Sequence, residues 1–207
     1  MRGRVSTGID GFDDLIDGGF FEGSFILVAG EPGAGKTIFS HFFMLEGLKR
    51  GENCLYVTFV EPEERLLEYG ERFGYDLSKY KKKGQLTILD RPIGEEMEME
   101  GITTEILEQV RNKNCSRLVI DSLSALTLGL PETERKRKLI RTITRLLHSV
   151  NCTWIGIAEH SPENIEYRFE EYLADGMIYL ETRFRDGKLS RNMKIMKMRG
   201  TDHARKS

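Results

Sequence analysis

One eight-residue segment, Gly30–Thr37, constrains the fold of this 207-residue chain more than any other part of it. The segment fits the pattern G-x-x-x-x-G-K-[ST], which is typical of phosphate-binding loops. Before it, Phe25–Ala29 is apolar and partly β-branched, as a buried strand is, and after it Ile38–Lys49 has apolar residues at helical spacing. Strand, glycine-rich loop and helix follow one another in the order that the pattern needs. The sequence therefore predicts a nucleoside triphosphate site rather than a glycine turn with a chance lysine.

The residue types of this loop suit a ligand crowded with negative charge. Gly33 and Gly35 allow the backbone to curl around phosphates, and the following helix presents its free N–H groups at the same place. In such loops the lysine ammonium reaches the β- and γ-phosphates, and the Ser/Thr hydroxyl ligates Mg²⁺. We therefore assign the phosphate contacts to the loop and the start of its helix, namely Gly30, Gly33, Ala34, Gly35, Lys36, Thr37 and Ile38.

A second metal-binding group is predicted at Asp121. The apolar segment Leu118–Ile120 reads as a strand, and Asp121 follows it directly, which is the Walker B arrangement. A carboxylate at the tip of a strand beside a phosphate loop holds Mg²⁺ through its water shell. Many strands end in an aspartate, so the pairing with the phosphate loop is what favours Thr37 and Asp121 as the metal-binding residues.

Hydrolysis of a triphosphate also needs a group that positions the attacking water. Glu61, just beyond the strand Leu55–Phe59, is the first candidate for a general base. Glu159, at the end of the strand Thr153–Ala158, is a second acid at the same edge of the predicted sheet. A solvated carboxylate at a strand end is the alternative interpretation of both.

The order of strands and helices predicts an α/β fold. Strand candidates alternate with helical segments, which favours a mostly parallel sheet with helices on both faces, and 207 residues suit one domain spanning residues 1–207. Near the N-terminus, Thr7 and Asp10 have capping-box spacing before a short helix around residues 11–16. The predicted strands are Cys54–Phe59, Leu86–Leu89, Leu118–Ile120 and Thr153–Ala158; the predicted helices are Glu63–Arg72, Asp76–Lys83, Thr103–Lys113 and Glu132–Val150; and Met177–Phe184 with Leu189–Met198 reads as an antiparallel hairpin.

Composition narrows the surroundings of the chain. The net charge is −2, so no overall field attracts nucleic acid or an acidic membrane. No apolar run approaches the length of a membrane span, and no signal core follows the N-terminus, so we expect a cytoplasmic protein. Cys54, Cys115 and Cys152 form no C-x-x-C pair, and each opens an apolar segment. We expect buried thiols at the same end of three parallel strands.

Two cations near the C-terminus, Lys197 and Arg199, are two residues apart on a strand candidate and are therefore expected to project from one face. Two cations that point together suit a polyphosphate. The alternative is a solvated basic strand edge, and the surrounding sequence is what favours the phosphate role.

Together these motifs resemble the KaiC-like ATPases of the RecA superfamily, over nearly the whole chain. The resemblance begins with Ser6–Leu15, which is similar to the family's T-G-I-x-G-L/F-D-x-L opening, and continues through Gly30–Thr37 and Val119–Ser122. It ends with Lys197–His203, which resembles the family's K-x-R-G-[TS]-x-H segment. The resemblance implies a RecA-like P-loop NTPase fold, ATP and Mg²⁺ as ligands, and a homo-oligomer in the form of a hexameric ring.

The resemblance also implies roles for the C-terminal segment. In the family this segment reaches across a subunit boundary to the triphosphate held by the neighbour. Lys197 and Arg199 would accordingly contact phosphates in trans, with Arg199 acting as a catalytic cation beside Lys36 and Glu61. Thr201 and His203 would lie next to the neighbour's nucleotide.

Two places depart from the family pattern. Val60 stands where the family usually has the first of two glutamates, the expected water activator, so we expect hydrolysis to be slow or to rely on Glu61. Glu171 and Tyr172 stand where the clock protein's second domain carries a phosphorylated serine and threonine. Autophosphorylation at that site is therefore not expected.

Three functions remain open on the sequence. The leading one is a ring-forming regulatory ATPase with slow turnover, and the second is a nucleotide-dependent assembly module with little turnover, which Val60 favours. The third is a recombinase-like DNA-binding ATPase, suggested by the basic runs Lys81–Lys83 and Arg135–Lys138. Short basic runs without interleaved aromatic residues usually form solvated helix faces, so DNA binding is not favoured.

Overall fold

A seven-stranded sheet forms the centre of the structure, a computed structural model that describes residues 3–92, 99–128, 133–159, 169–185 and 188–201. The strands are β1 (Arg4–Val5), β2 (Phe20–Phe21), β3 (Phe25–Gly30), β4 (Cys54–Thr58), β5 (Leu86–Asp90), β6 (Arg117–Asp121), β7 (Thr153–Glu159), β8 (Gly176–Arg185) and β9 (Lys188–Met198). The central sheet has the order β5-β4-β6-β7-β3-β8-β9, and every neighbouring pair in it is parallel except β8 with β9. This confirms the predicted mostly parallel sheet with a C-terminal antiparallel hairpin.

Helices connect the strands and lie on both faces of the sheet. They are α1 (Lys36–Lys49), α2 (Glu63–Arg72), α3 (Ser78–Lys82), α4 (Met99–Asn112), α5 (Leu123–Leu128), α6 (Thr133–Ser149) and α7 (Phe169–Leu173), together with a 3₁₀ helix at Asp13–Ile16. The predicted helices are present with small shifts at their ends, whereas α5 and α7 were not predicted. Within the described ranges, no helix has the length and apolar character needed to cross a membrane.

The side chains of β3 show why both faces are covered. Successive residues of a strand point to opposite faces, so Phe25 and Leu27 pack with apolar residues of α4, α5 and α6, whereas Ile26 and Val28 pack on the side of α1. All six residues of β3 are buried. A strand without a polar face is stable only when helices cover both sides of its sheet.

The hairpin of β8 and β9 extends one of these apolar faces beyond the core. Phe184 pairs with Leu189, and Leu180 pairs with Met193. Leu180 belongs to the core on the α1 side, whereas Phe184, Leu189 and Met193 are exposed. Apolar pairs therefore occur on the hairpin outside the core, and the polar pair Thr182 and Arg191 lies between the two.

The predicted capping box at the N-terminus is wrong. The 3₁₀ helix begins at Asp13, two residues later than expected, so Asp13 rather than Asp10 lies within reach of Thr7. The backbone N–H of Thr7 donates to both carboxylate oxygens of Asp13 at 3.0 and 3.1 Å, and its hydroxyl donates at 2.7 Å. The Ser6 hydroxyl donates to the same carboxylate at 2.6 Å. Asp13 thus closes the N-terminal loop.

The prediction for the cysteines is confirmed. Cys54 opens β4, and Cys115 and Cys152 lie just before β6 and β7. These three strands are neighbours in the parallel sheet, so the cysteines share its amino-terminal edge. All three are free and buried.

One buried arginine at this edge was not predicted from the sequence. Arg117 is 1% exposed, and its guanidinium donates to the two carboxylate oxygens of Glu52 at 2.6 and 3.0 Å. It also donates to the carbonyls of Ser6 and Phe43 at 2.8 Å each. Because a buried charge is tolerated only when it is paired and hydrogen-bonded, these contacts anchor α1 and the N-terminal loop to the sheet.

Candidate nucleotide-binding site

The glycine-rich loop connects the carboxyl end of β3 to the N-terminus of α1. Gly33 and Gly35 have φ angles of 79° and 101°, and Gly35 occupies the N-cap position of α1. A Cβ atom at either position would meet no protein atom within 4 Å. Glycine is therefore needed here for its left-handed backbone rather than for lack of space, since other residues rarely adopt such angles.

Other residues of the loop are fixed by packing. A Cβ atom on Gly30 would lie 2.2 Å from the carbonyl oxygen of Leu180 on β8, so this position has no space for a side chain. The N–H of Ala34 donates to the carbonyl of Glu31 at 3.2 Å, and the Ala34 side chain is buried. Ile38 is half-buried in the first turn of α1. The free N–H groups at the start of α1 thus follow directly on the loop, an arrangement that suits a phosphate.

Lys36 is held inside this loop. Its ammonium donates to the carbonyls of Gly30 and Glu31 at 2.9 and 2.8 Å. Burial lowers the pKa of Lys36, and the carboxylates of Glu159, Asp121 and Glu31 act in the opposite direction. The loop carbonyls thus hold the cation inside the loop, and its contact with the β- and γ-phosphates stays a prediction.

The two predicted metal-binding residues are in direct contact. The Thr37 hydroxyl donates to Oδ2 of Asp121 at 3.1 Å, and the hydroxyl of Tyr56 donates to the same oxygen at 2.9 Å. Burial raises the pKa of Asp121, whereas the hydrogen bonds from Tyr56 and Thr37 and the charge of Lys36 favour its ionised form. A carboxylate and a hydroxyl beside a phosphate loop are hard oxygen donors, so this set of residues fits Mg²⁺.

Glu61 lies in the loop that follows β4. The Thr58 hydroxyl donates to the Glu61 carbonyl at 2.7 Å and shapes this loop, and the charge of Glu61 acts on the Asp121 carboxylate. The Glu61 carboxylate lies 3.7 Å from Arg65, too far for a hydrogen bond, and its Oε2 atom has no hydrogen-bond partner. Val60, immediately before it, is 69% exposed. Glu61 is thus close enough to Asp121 for its charge to raise the pKa of that carboxyl group.

Glu159 ends β7 and lies beside the phosphate loop as well. It is in register with Gly30 on the neighbouring strand, and its N–H donates to the Ser124 hydroxyl at 3.1 Å. Among the charged groups that raise the pKa of Lys36, its carboxylate has the largest effect. Both candidate bases therefore lie at the carboxyl-terminal edge of the sheet. The charge of Glu159 raises the pKa of Lys36, whereas the charge of Glu61 raises the pKa of Asp121.

Lys197 and Arg199 lie together at the amino-terminal edge of the parallel strands, opposite the phosphate loop. The Lys197 ammonium donates to the carbonyls of Glu171 and Tyr172 at 3.0 and 3.3 Å, and the Arg199 guanidinium donates to the Tyr172 carbonyl at 3.1 Å. The Arg199 N–H donates to the carbonyl of Asp175, whose carboxylate accepts from the first N–H of β3. The two cations are therefore near the start of β3, whereas the phosphate loop begins at its end.

The rest of the C-terminal segment is attached to the N-terminus of the chain. The Arg4 guanidinium donates to the Thr201 hydroxyl at 2.8 Å and lies over the ring of Phe21, 3.8 Å from its centroid. Thr201 thus follows Lys197 and Arg199 along the same edge. His203 lies outside the described residues.

Two residues of this site were not found by sequence reasoning. Tyr56 contacts Asp121, and Ser40 contacts Tyr56, with 3.3 Å between the two hydroxyl oxygens. A tyrosine in an apolar strand and a serine in a helix carry no motif. The contact becomes visible only when β4 and β6 are known to be neighbours.

Known proteins resemble the chain throughout its length. The family model described as ATPase: KaiC matches residues 5–207. Circadian clock protein KaiC3 of Synechocystis is 35% identical over 211 residues, which are 97% of this chain and 42% of KaiC3, so the chain spans less than half of that relative. UPF0273 protein PH0284 of Pyrococcus horikoshii is 34% identical over 220 residues, 99% of this chain and 88% of the relative.

A solved structure agrees with these sequence matches. KaiC-like protein PH0186 from Pyrococcus horikoshii OT3 has a TM-score of 0.89 and 34% identity, covering 99% of this chain and 92% of that chain. The family match implies ATP binding in a RecA-like fold, in agreement with the loop, lysine and aspartate described above. By sequence, structure and site, this chain belongs to the KaiC family of ATPases.

Proposed function

We propose that residues 1–207 form one domain of a cytoplasmic, ring-forming regulatory ATPase that holds ATP between subunits and hydrolyses it slowly. The observation that carries this proposal is the separation of Lys197 and Arg199 from the phosphate loop of their own chain. β3 runs from Phe25, beside Asp175, to Gly30, and five steps along a strand span about 16 Å. The two cations would therefore serve the nucleotide of a neighbouring subunit.

The phosphate loop would bind the triphosphate through its backbone N–H groups and through Lys36. The lysine would exchange the carbonyls of Gly30 and Glu31 for phosphate oxygens, which are stronger acceptors because they are charged. Thr37 and Asp121 would hold Mg²⁺. Bound there, the metal would neutralise charge on the β- and γ-phosphates.

We assign water activation to Glu61. We attribute the slow rate of ATP hydrolysis to Val60, the residue before it. Glu61 has a carboxylate oxygen without a hydrogen bond and acts on Asp121, so it is the acid best placed to accept a proton from water beside the metal. Val60 cannot accept a proton. If Glu61 does not act as a base, the chain is instead an assembly module in which ATP joins subunits and turnover is incidental.

The outer strand of the sheet supplies a surface for assembly. Phe184, Leu189 and Met193 are exposed apolar side chains on the hairpin that also carries Lys197. Exposed apolar patches of this kind mark protein–protein contacts. A contact between this hairpin and a different surface of the next subunit would be head-to-tail, which is the geometry that closes into rings.

Particle mass tests the proposal directly. We expect light scattering to show a ring, with hexamer mass, for the chain with ATP and Mg²⁺, and smaller particles without nucleotide. Lys36→Ala is the matched control, because it removes the phosphate-binding cation and leaves every side chain of the hairpin in place; it is expected to stay small under both conditions. A wild-type chain that remains monomeric with ATP and Mg²⁺ would contradict the proposal.

A further inference from the structure

One buried tyrosine contacts the carboxylate that is proposed to bind the metal. Tyr56 lies in the middle of β4 and is 3% exposed, and its hydroxyl donates to Oδ2 of Asp121 at 2.9 Å. β4 and β6 are parallel neighbours, with Tyr56 beside Val119 and Thr58 beside Asp121. Tyr56 therefore lies two residues before Thr58, the residue paired with Asp121, and the length of its side chain allows the hydroxyl to reach the carboxylate.

Two donors hold the same carboxylate oxygen. Oδ2 of Asp121 accepts from Tyr56 and from Thr37, whereas Oδ1 accepts no hydrogen bond from the described part of the chain. Hydrogen bonds from two directions to one oxygen restrict rotation of the carboxylate. Since Thr37 is itself a proposed metal ligand, Tyr56 is the donor whose contact with Asp121 does not depend on the metal.

The Tyr56 hydroxyl also contacts α1. Ser40 Oγ lies 3.3 Å from the phenol oxygen and 2.8 Å from the carbonyl oxygen of Thr37, so these two acceptors share the single proton of the serine hydroxyl. Tyr56 and Ser40 are both buried, so neither hydroxyl can easily exchange its partner for water. A hydrogen bond to a charged acceptor is stronger than one between neutral groups, so it favours one orientation of the carboxylate.

We propose that Tyr56 is a positioning residue for Mg²⁺, acting by holding the Asp121 carboxylate in the orientation that binds the metal or its water shell. This inference rests on the proposed function, because it assumes that Thr37 and Asp121 bind Mg²⁺ beside a nucleotide. A phenylalanine would fill the same space in the core but would leave Asp121 with one donor fewer. The hydroxyl, rather than the ring, is the functional part.

The test measures ADP affinity by calorimetry, in EDTA and over a series of Mg²⁺ concentrations. The gain in ADP affinity on adding Mg²⁺ reports metal binding without any need for turnover. For Tyr56→Phe we expect this gain to fall about 10-fold, the size typical of an outer-shell change at a metal site, with ADP affinity in EDTA unchanged. An equal loss of affinity in EDTA and in Mg²⁺ would mean that the hydroxyl has only a structural role, and would overturn the inference.

Tyr75→Phe is the matched control. It also removes the hydroxyl of a buried tyrosine on the α1 side of the sheet, but that hydroxyl lies 3.1 Å from Nδ1 of His41 and contacts neither Thr37 nor Asp121. It is expected to retain the full gain from Mg²⁺. The thermal unfolding temperature of both variants shows whether any difference reflects a loss of folding.

A double substitution tests whether Tyr56 acts through Asp121. In an Asp121→Asn chain, Tyr56→Phe should cause no further loss of the Mg²⁺ effect, because the carboxylate that it positions is gone. A further loss in the double variant would overturn the inference. Failure of the proposed function looks different: the wild-type chain would then bind ADP in neither buffer.

Discussion

The Lys36 ammonium is buried, and the carbonyls of Gly30 and Glu31 in its own loop accept its hydrogen bonds. A buried ammonium without acceptors is strongly disfavoured, so the loop carbonyls maintain the cation inside the fold. Contact with phosphate oxygens would exchange one set of acceptors for another. The lysine would not have to leave water first, which lowers the desolvation cost of binding.

Replacement of Glu61 tests the assignment of the general base. Glu61→Gln keeps the size of the side chain but removes its capacity to accept a proton. We expect ATP turnover to fall about 100-fold or more while ATP affinity stays the same, because the phosphate contacts are made by other residues. Turnover measured by phosphate release and affinity measured by calorimetry check the two parts.

Glu159→Gln is the matched control for this prediction. It removes a carboxylate at the same edge of the sheet that acts on Lys36 rather than on Asp121, so most of the turnover should remain. Normal turnover in Glu61→Gln together with a large loss in Glu159→Gln would transfer the role to Glu159. Normal turnover in both would leave the site without a carboxylate base and favour the assembly module.

At the scale of elements, predictability followed the length of the repeating pattern. The predicted bounds of α2, Glu63–Arg72, are those of the structure, because ten residues carry a clear amphipathic repeat. α5, with six mostly apolar residues, and the two-residue strands β1 and β2 have too little pattern to be recognised. Packing against the sheet sets their positions, and the sequence of a short segment does not reveal this packing.

The candidate site divides in the same way. Lys36, Thr37 and Asp121 were predicted because their spacing repeats a motif, and the structure brings them together. Tyr56 was not predicted, because its contact with Asp121 depends on which strands are neighbours. The wrong prediction of Asp10 as the partner of Thr7 has a similar origin. The 3₁₀ helix begins later than predicted, and this shift brings Asp13 within reach of Thr7 instead.

The packing of α1 makes the stability of the fold depend on pH. His41 is 2% exposed, its Nδ1 lies 3.1 Å from the Tyr75 hydroxyl, and burial lowers its pKa to about 4. In the unfolded chain its pKa is near 6.5, so between these values the unfolded state binds a proton that the folded state does not. The free energy of unfolding should therefore decrease as pH falls, by about 2 kcal/mol from pH 7.5 to pH 5.

His41→Gln isolates this contribution, because glutamine retains a polar group near Tyr75 but does not titrate. Urea unfolding of both chains at pH 7.5 and pH 5 gives the comparison, and all other ionisable groups are shared. The difference in the free energy of unfolding between the wild-type chain and His41→Gln should be smaller, or of opposite sign, at pH 5. A wild-type chain and variant with parallel pH dependence would show that His41 is not kept neutral by the fold.

At the scale of the whole molecule, the residues that we propose to act on one nucleotide lie at opposite edges of the sheet. The phosphate loop, Asp121 and Glu61 lie at the carboxyl ends of the strands, whereas Lys197 and Arg199 lie beside Asp175 at the start of β3. Under the proposed function, one copy does not bring both groups to the same nucleotide, whereas two copies arranged head to tail would do so.

Particles that contain two variants test this arrangement. Arg199→Ala should lower turnover about 1000-fold, as loss of a cation supplied in trans does, with only a modest change in ATP affinity. Lys36→Ala should be inactive as well, since it neither holds ATP nor assembles by itself. It can still offer its intact Arg199 to the ATP held by an Arg199→Ala subunit. In a mixture, some interfaces combine an intact phosphate loop with an intact Arg199, so part of the activity should return.

The control is the mass of the mixed particles, with one variant carrying an affinity tag. Activity that returns only when the two variants are in the same particle supports catalysis between subunits. Co-assembled particles that remain inactive would contradict the assignment of Arg199. Thermal unfolding of Arg199→Ala checks that the loss of its contacts with Tyr172 and Asp175 leaves the chain folded.

The burial of all three cysteines bears on how such subunit exchange can be observed. Burial raises the pKa of each thiol, to about 11 for Cys115, so little reactive thiolate is present at neutral pH. Thiol-reactive dyes should therefore leave the folded chain almost unlabelled. A single cysteine introduced on the exposed hairpin, as in Ser190→Cys, would be the one fast-reacting thiol of each subunit, and energy transfer between donor- and acceptor-labelled copies could follow exchange in real time without the removal of any native cysteine.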